Sequence, residues 1–145
     1  KKDIPPYAII GGKDPATTLA QYPGSAEQCE LMFTGMVDES EEQIKAFADE
    51  IRDKNIQIVF IALGVPKQDR VALALRELAP QSVYLGVGGT FEILAPGSSR
   101  APDWMQKSGL EWLYRLSKEP GRLWKRYVLH YPLGVYALLK DSLAR

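Results

Sequence analysis

Three glycine-rich stretches of this 145-residue chain have the residue types that hold phosphate: Gly11-Gly12-Lys13, Gly64-Val65-Pro66-Lys67-Gln68 and Gly88-Gly89-Thr90. Glycine lets backbone N–H groups come close to an anion, and Lys13 and Lys67 add positive charge. The same residues also suit ordinary turns from strand to helix, and pattern alone leaves both readings open. Gly35 closes a further apolar run in the same manner. Asp69 and Glu92 each follow a run's end by a few residues, where a carboxylate would act as a base or bind hydroxyl groups. Asp69 has a second reading, as an acidic residue favoured in the first turn of a helix.

Several familiar chemistries fail on spacing. The stretch Gly86-Val87-Gly88-Gly89-Thr90-Phe91 has phenylalanine where a dinucleotide-binding loop needs its third glycine, and neither a G-x-x-x-x-G-K-[ST] loop nor a G-x-S-x-G elbow occurs. A dehydrogenase and a P-loop enzyme are therefore not expected. The only histidine, His130, lies among Tyr127, Leu129 and Tyr131 and reads as a packing or interfacial residue rather than a general base. Cys29 is the only cysteine, which excludes an intrachain disulfide and a cysteine-rich metal site and leaves it as a small buried hydrophobe. No metal site is expected.

The elements that must position these residues are legible from the apolar runs Tyr7 to Ile10, Glu30 to Phe33, Gln57 to Leu63 and Ser82 to Val87. Each ends in glycine, and a run such as IVFIAL, apolar at nearly every position, is what a parallel strand buried on both faces requires. Helical patterns lie between them, near Pro15 to Tyr22, Ser40 to Lys54 and Gln68 to Leu78. The second is the best marked: Ser40-Glu41-Glu42-Gln43 has capping-box spacing, and Ile44, Phe47, Ala48 and Ile51 share one helical face. The order βαβαβαβ predicts a doubly wound, mostly parallel α/β sheet of Rossmann-like type, with ligands bound beyond the carboxyl ends of its strands. Strand order is not legible from the pattern.

From Arg100 the pattern changes to helical segments punctuated by Pro102, Pro120 and Pro132, an appendage to the sheet domain. Residues 1–99 carry 9 Lys+Arg against 14 Asp+Glu, a balance of −5, whereas residues 100–145 carry 9 against 4, a balance of +5. Trp104, Trp112 and Trp124 all lie in that basic part, which points to an anionic partner, either nucleotide phosphates or a membrane surface. No apolar run approaches the roughly 18 to 20 residues that span a bilayer, so no integral membrane segment is expected. The chain opens on Lys1-Lys2-Asp3 rather than Met and enters a strand pattern at once, so it reads as part of a longer protein.

Two stretches resemble a known family. The run IALGVPKQD is similar to the strand-plus-loop signature G-x-P-x-Q-E of the TagA/WecG/CpsF glycosyltransferases, and LGVGGTFEILAPGSSRAPDWMQKSGLEWLYRLSKEPGRLWKRY resembles their second signature. There a G-G-x-F-D-like loop leads to R-A-P and G-L-E-W-x-x-R-L, and the spacing from Gly88 to Arg100 matches without a gap. Departures are Asp69 for a glutamate, Val71 for a tryptophan, Met36 for a tyrosine, Glu92 for an aspartate, and Pro96-Gly97, which shifts a glycine by one.

The resemblance implies an inverting glycosyltransferase that moves N-acetylmannosamine or a related sugar from a UDP carrier to an undecaprenyl-pyrophosphate-linked acceptor, for teichoic acid or surface polysaccharide. It implies no cofactor beyond the donor, no nucleic-acid partner, and a cytoplasmic protein peripheral on the inner face of the membrane; a homo-oligomer is allowed. Residues 1–99 would be the nucleotide-sugar domain. The substrate-binding set implied is Gly11, Gly12, Gly35, Gly64, Pro66, Lys67, Gln68, Gly88, Gly89, Thr90, Phe91 and Glu92, with Arg100, Arg115, Arg122 and Arg126 as guanidinium donors to diphosphate. Surface ion pairs are the competing role for Arg115 and Arg126. The family's D-G-x-G segment, with its base aspartate, has no counterpart in these residues. The 145 residues alone are therefore expected not to catalyse transfer, and a silent nucleotide-sugar-binding or partner-binding module is the alternative.

Overall fold

The apolar runs build a four-stranded parallel sheet in the order β2-β1-β3-β4, from β1 (Tyr7–Gly11), β2 (Cys29–Phe33), β3 (Ile58–Ala62) and β4 (Val83–Gly86). The structure, a computed structural model, describes residues 4–22, 24–97, 101–118, 120–125 and the single positions 132, 136 and 140. The chain falls into two compact units, Lys1–Ser98 and Ser99–Arg145. The first is an α/β sheet domain of Rossmann-like type. Its strands run in register, with Tyr7 beside Ile58 and Ile58 beside Val83, so residues at alternate positions share a face across β1, β3 and β4.

One face carries Ala8, Ile10, Val59 and Ile61 and is covered by α2 (Glu41–Asp53) and α3 (Lys67–Leu78). Helix α2 forms for the reasons its sequence shows: Ser40 Oγ accepts from Gln43 N at 3.2 Å, and Ile44, Phe47, Ala48 and Ile51 are all buried. The reciprocal half of the capping box does not form. Gln43 Oε1 accepts instead from Asp38 N at 3.0 Å, while Ser40 N donates to Asp38 Oδ1 at 2.9 Å. The side chain of Gln43 thus braces the loop before the helix rather than its first residue.

The opposite face carries Tyr7 and Ile9 and is covered by α1 (Pro15–Leu19) and α4 (Thr90–Leu94), each of five residues, through Leu19 and Phe91. Helix α1 is shorter than the pattern Pro15 to Tyr22 suggests, because the chain turns after Ala20. The run Ser82 to Val87 is not buried on both faces. Its strand β4 is an edge, and Val83 and Leu85 are 57% and 41% exposed. Cys29 is likewise only half-buried, at the start of the other edge strand.

The second unit contains α5 (Asp103–Lys107), α6 (Glu111–Lys118) and α7 (Pro120–Lys125). Gln106 Nε2 donates to Ala101 O at 2.6 Å, and Leu110 N to Met105 O at 2.8 Å, closing the turn between α5 and α6. Leu123 is buried, whereas Trp104, Trp112, Leu113 and Trp124 are exposed. Among the described residues no helix is long and apolar enough to cross a membrane.

Candidate functional site

Because all strands are parallel, Gly11, Phe33, Ala62 and Gly86 lie at one edge of the sheet, and the loops that follow them share that edge. The strand order decides which loops part. From β1 the chain moves to β2 on one side and then crosses back to β3 on the other, so the order reverses between β1 and β3. In open α/β sheets that reversal opens a crevice, here between Gly11-Gly12-Lys13 and Leu63 to Gln68.

The crevice is tightly built at its base. Gly11 has φ 85°, and a Cβ there would lie 2.5 Å from Leu63 Cδ2 and 2.8 Å from Ala62 O. Only glycine fits this approach. Gly12, also at φ 85°, faces Ala62 and the ring of Phe91, with an added Cβ 3.2 and 3.3 Å from them. Phe91 is therefore a buried support beneath the loop.

Hydrogen bonds over long sequence separations stitch the loops into a single rim. Lys13 N donates to Glu92 Oε1 at 3.1 Å, buried Thr18 Oγ1 to Phe91 O at 2.9 Å, and Gln21 Nε2 to Leu94 O at 2.9 Å. On the other side Gly88 N donates to Gln68 Oε1 at 3.1 Å, which ties the loop after β4 to the start of α3. Thr90 Oγ1 turns back to Val87 O at 2.5 Å and closes the first turn of α4. Gly89 N-caps α4, and Gly64 lies in open space, with nothing within 4 Å of an added Cβ. Pro66 N-caps α3 and gives no side-chain cap.

The carboxylate candidates differ in position. Asp69 is exposed in the first turn of α3, the place acidic residues favour at a helix's positive end. Glu92 is exposed in the first turn of α4, with one oxygen holding the backbone of Lys13. Gly35 lies off the crevice, in the loop after edge strand β2, where a Cβ would meet the ring of Phe33 at 2.8 Å. Met36 beside it is 86% exposed.

That loop contains rim residues the sequence reading did not single out. Glu39 stands at φ 65° and accepts from Arg70 Nε at 2.7 Å and Nη2 at 2.9 Å, while Lys67 Nζ lies 4.0 Å from its Oε1. The hydrogen bond from Arg70 holds the Glu39 carboxyl below its usual range, and the backbone N–H of Ser40 does the same for Asp38. Both are anions at neutral pH. Asp38 and Glu39 directly precede the Ser40 cap and acidic first turn of α2, and no local spacing sets them apart.

Of the arginine candidates, Arg115 pairs with Glu111 one turn earlier on α6, through Nε at 3.1 Å and Nη2 at 2.5 Å. Arg122 belongs to α7. Its side chain, Arg100 and Arg126 lie outside the described residues, as does His130. Among the described residues no group of three or more His, Cys, Asp or Glu is placed to hold a metal.

The model of the family described as "Glycosyl transferase WecG/TagA/CpsF family" matches residues 7–145. The chain is similar to the N-acetylglucosaminyldiphosphoundecaprenol N-acetyl-beta-D-mannosaminyltransferase of Bacillus subtilis (strain 168), at 36% identity over 118 residues. That alignment covers 81% of this chain and 45% of the relative, so the chain spans about half the length of the relative.

Proposed function

This chain belongs to the WecG/TagA/CpsF family of glycosyl transferases, and we propose that its rim holds the diphosphate of a UDP-linked sugar of the N-acetylmannosamine type. The full reaction proposed is transfer with inversion to an undecaprenyl-diphosphate-linked acceptor, the acceptor named for the Bacillus subtilis relative. One observation carries this reading: the loops after β1, β3 and β4 are joined by hydrogen bonds around the point where strand order reverses. Backbone N–H groups of glycine loops and the ammonium groups of Lys13 and Lys67 suit a departing diphosphate, whose charge grows as the glycosidic bond breaks. Titration of the chain with UDP, followed by calorimetry and by amide chemical shifts, tests it. Shifts are expected at Gly11 to Lys13, Gly64 to Gln68 and Gly88 to Glu92, and shifts absent from all three at millimolar UDP would sink the reading.

Inversion also needs a base on the acceptor hydroxyl. Asp69 and Glu92 are poor candidates for it, the first at a helix start and the second engaged with Lys13 N. These 145 residues by themselves are therefore proposed to bind donor without transferring sugar. This same engagement favours the second reading, a silent nucleotide-sugar-binding module, and turnover of donor and lipid-linked acceptor by this chain would exclude it.

The second unit is proposed to rest on an anionic membrane surface, on the cytoplasmic side. Exposed Trp104, Trp112 and Trp124 on short helices, within a stretch of balance +5, suit the interface between headgroups and water. Co-sedimentation with vesicles containing anionic lipid is expected at low salt and is expected to fall with added salt. Binding that ignores both lipid charge and salt would remove this role.

A further inference from the structure

We propose that Arg70 is a positioning residue that occupies the Glu39 carboxylate and so leaves the Lys67 ammonium available to an anionic ligand at the rim. The inference rests on the nucleotide-diphosphate reading above and names a device within that site. Lys67 and Arg70 are three residues apart on α3 and so share a helical face, turned to the loop that follows β2. Both could pair with Glu39, and the geometry divides them unequally. Arg70 takes both carboxylate oxygens with its Nε and Nη2, at 2.7 and 2.9 Å. Lys67 stands at 4.0 Å from Oε1, beyond hydrogen-bond distance.

The neighbouring acid is held through one of its oxygens. Asp38 Oδ1 accepts from Ser40 N at 2.9 Å and from Ser40 Oγ at 2.7 Å. The loop that presents both acids is braced by Gln43, which accepts from Asp38 N at 3.0 Å and donates to Met36 O at 3.2 Å. Glu39 itself is held at φ 65°, a left-handed backbone that a glutamate adopts only when its surroundings enforce it. The carboxylate is therefore fixed in place beside the start of α3, and the planar fork of an arginine is the group able to take both its oxygens at once. Without that fork, one lysine would face two anions, and an arriving diphosphate would have to displace them.

The test replaces each partner and reads Lys67 twice. Arg70→Gln, Arg70→Lys, Glu39→Gln and the double variant Glu39→Gln/Arg70→Gln are compared with the unchanged chain; Arg70 and Glu39 are side chains at the surface, so folding is expected to survive. The first readout needs no nucleotide: the rate at which an N-hydroxysuccinimide ester of acetate acylates Lys67, followed by peptide mass spectrometry. The second is calorimetric titration with UDP at low salt. Arg70→Gln is expected to slow acylation and to weaken UDP binding, each about threefold, the scale of an exposed ion pair. The double variant restores both. Arg70→Lys, which keeps the charge and loses the fork, falls between.

Acylation of Lys67 unchanged by Arg70→Gln, or a loss that persists in the double variant, would overturn the proposal. Arg70→Lys indistinguishable from the unchanged chain in acylation would overturn it too, since charge alone would then suffice. Failure of the nucleotide reading looks different: the acylation pattern appears as expected while the unchanged chain binds no UDP.

Discussion

The two faces of the sheet are built unequally. Among the described residues thirteen buried members make one continuous hydrophobic cluster on the α2 and α3 side, whereas four do on the α1 and α4 side, where the covering helices are five residues long. A parallel sheet has to hide both faces, but the two coverings serve different ends. The long amphipathic helices α2 and α3 bury most of the described apolar core. The short pair buries little and instead carries rim loops, which Thr18, Gln21 and Glu92 tie together through hydrogen bonds. Most of the described core lies on one face, while three bonds of the rim come from the other and Gln68 of α3 adds one from the first.

The largest effect should separate the faces. Ile51→Ala, on the buried stripe of α2, is expected to lower unfolding free energy by about 2–5 kcal/mol. Leu85→Ala, on the thin face at the exposed edge, is expected to cost less than about 1 kcal/mol. Urea denaturation followed by circular dichroism measures both, and equal losses would break the comparison.

A smaller effect sharpens the stitching argument. Thr18→Val keeps the shape of a buried side chain and leaves the carbonyl of Phe91 without its donor, an expected loss of about 1–3 kcal/mol. The amides of α4 should then exchange with solvent faster while those of α2 stay as they are. Uniform acceleration across the sheet domain would mean that the bond supports the whole fold rather than the rim.

The smallest effect is the pH dependence that Tyr7 adds on the thin face. Burial pushes the Tyr7 phenol up to about 12, with Cys29 adding to the shift, and its OH donates to Ser25 O at 2.8 Å. A folded state that holds the proton more tightly than the unfolded chain has this contribution in full below about pH 10, the ordinary phenol value. The contribution is lost as pH rises from there through about 12. Urea midpoints at pH 9 and 11 are expected to fall further for the unchanged chain than for Tyr7→Phe. Identical falls would locate the alkaline sensitivity elsewhere.

Much of this arrangement is written in local pattern. The order of strands and helices, the glycines at the strand ends and the cap and buried stripe of α2 all follow from residue type and short-range spacing. These depend on neighbours a few positions away, so the amino-acid sequence determines them by itself. Its signature stretches likewise mark the family, matched over residues 7–145. Tertiary structure alone decides the order β2-β1-β3-β4, and with it which glycine loops border the crevice and that Val83 and Leu85 lie on an edge. It also decides that Glu92 holds Lys13 N, 79 residues away, and that Glu39 meets Arg70, 31 residues away. No periodicity encodes such pairs. They form where crossovers bring distant segments to one end of the sheet, and that closure depends on the packing of the whole domain rather than on any residue's own neighbours.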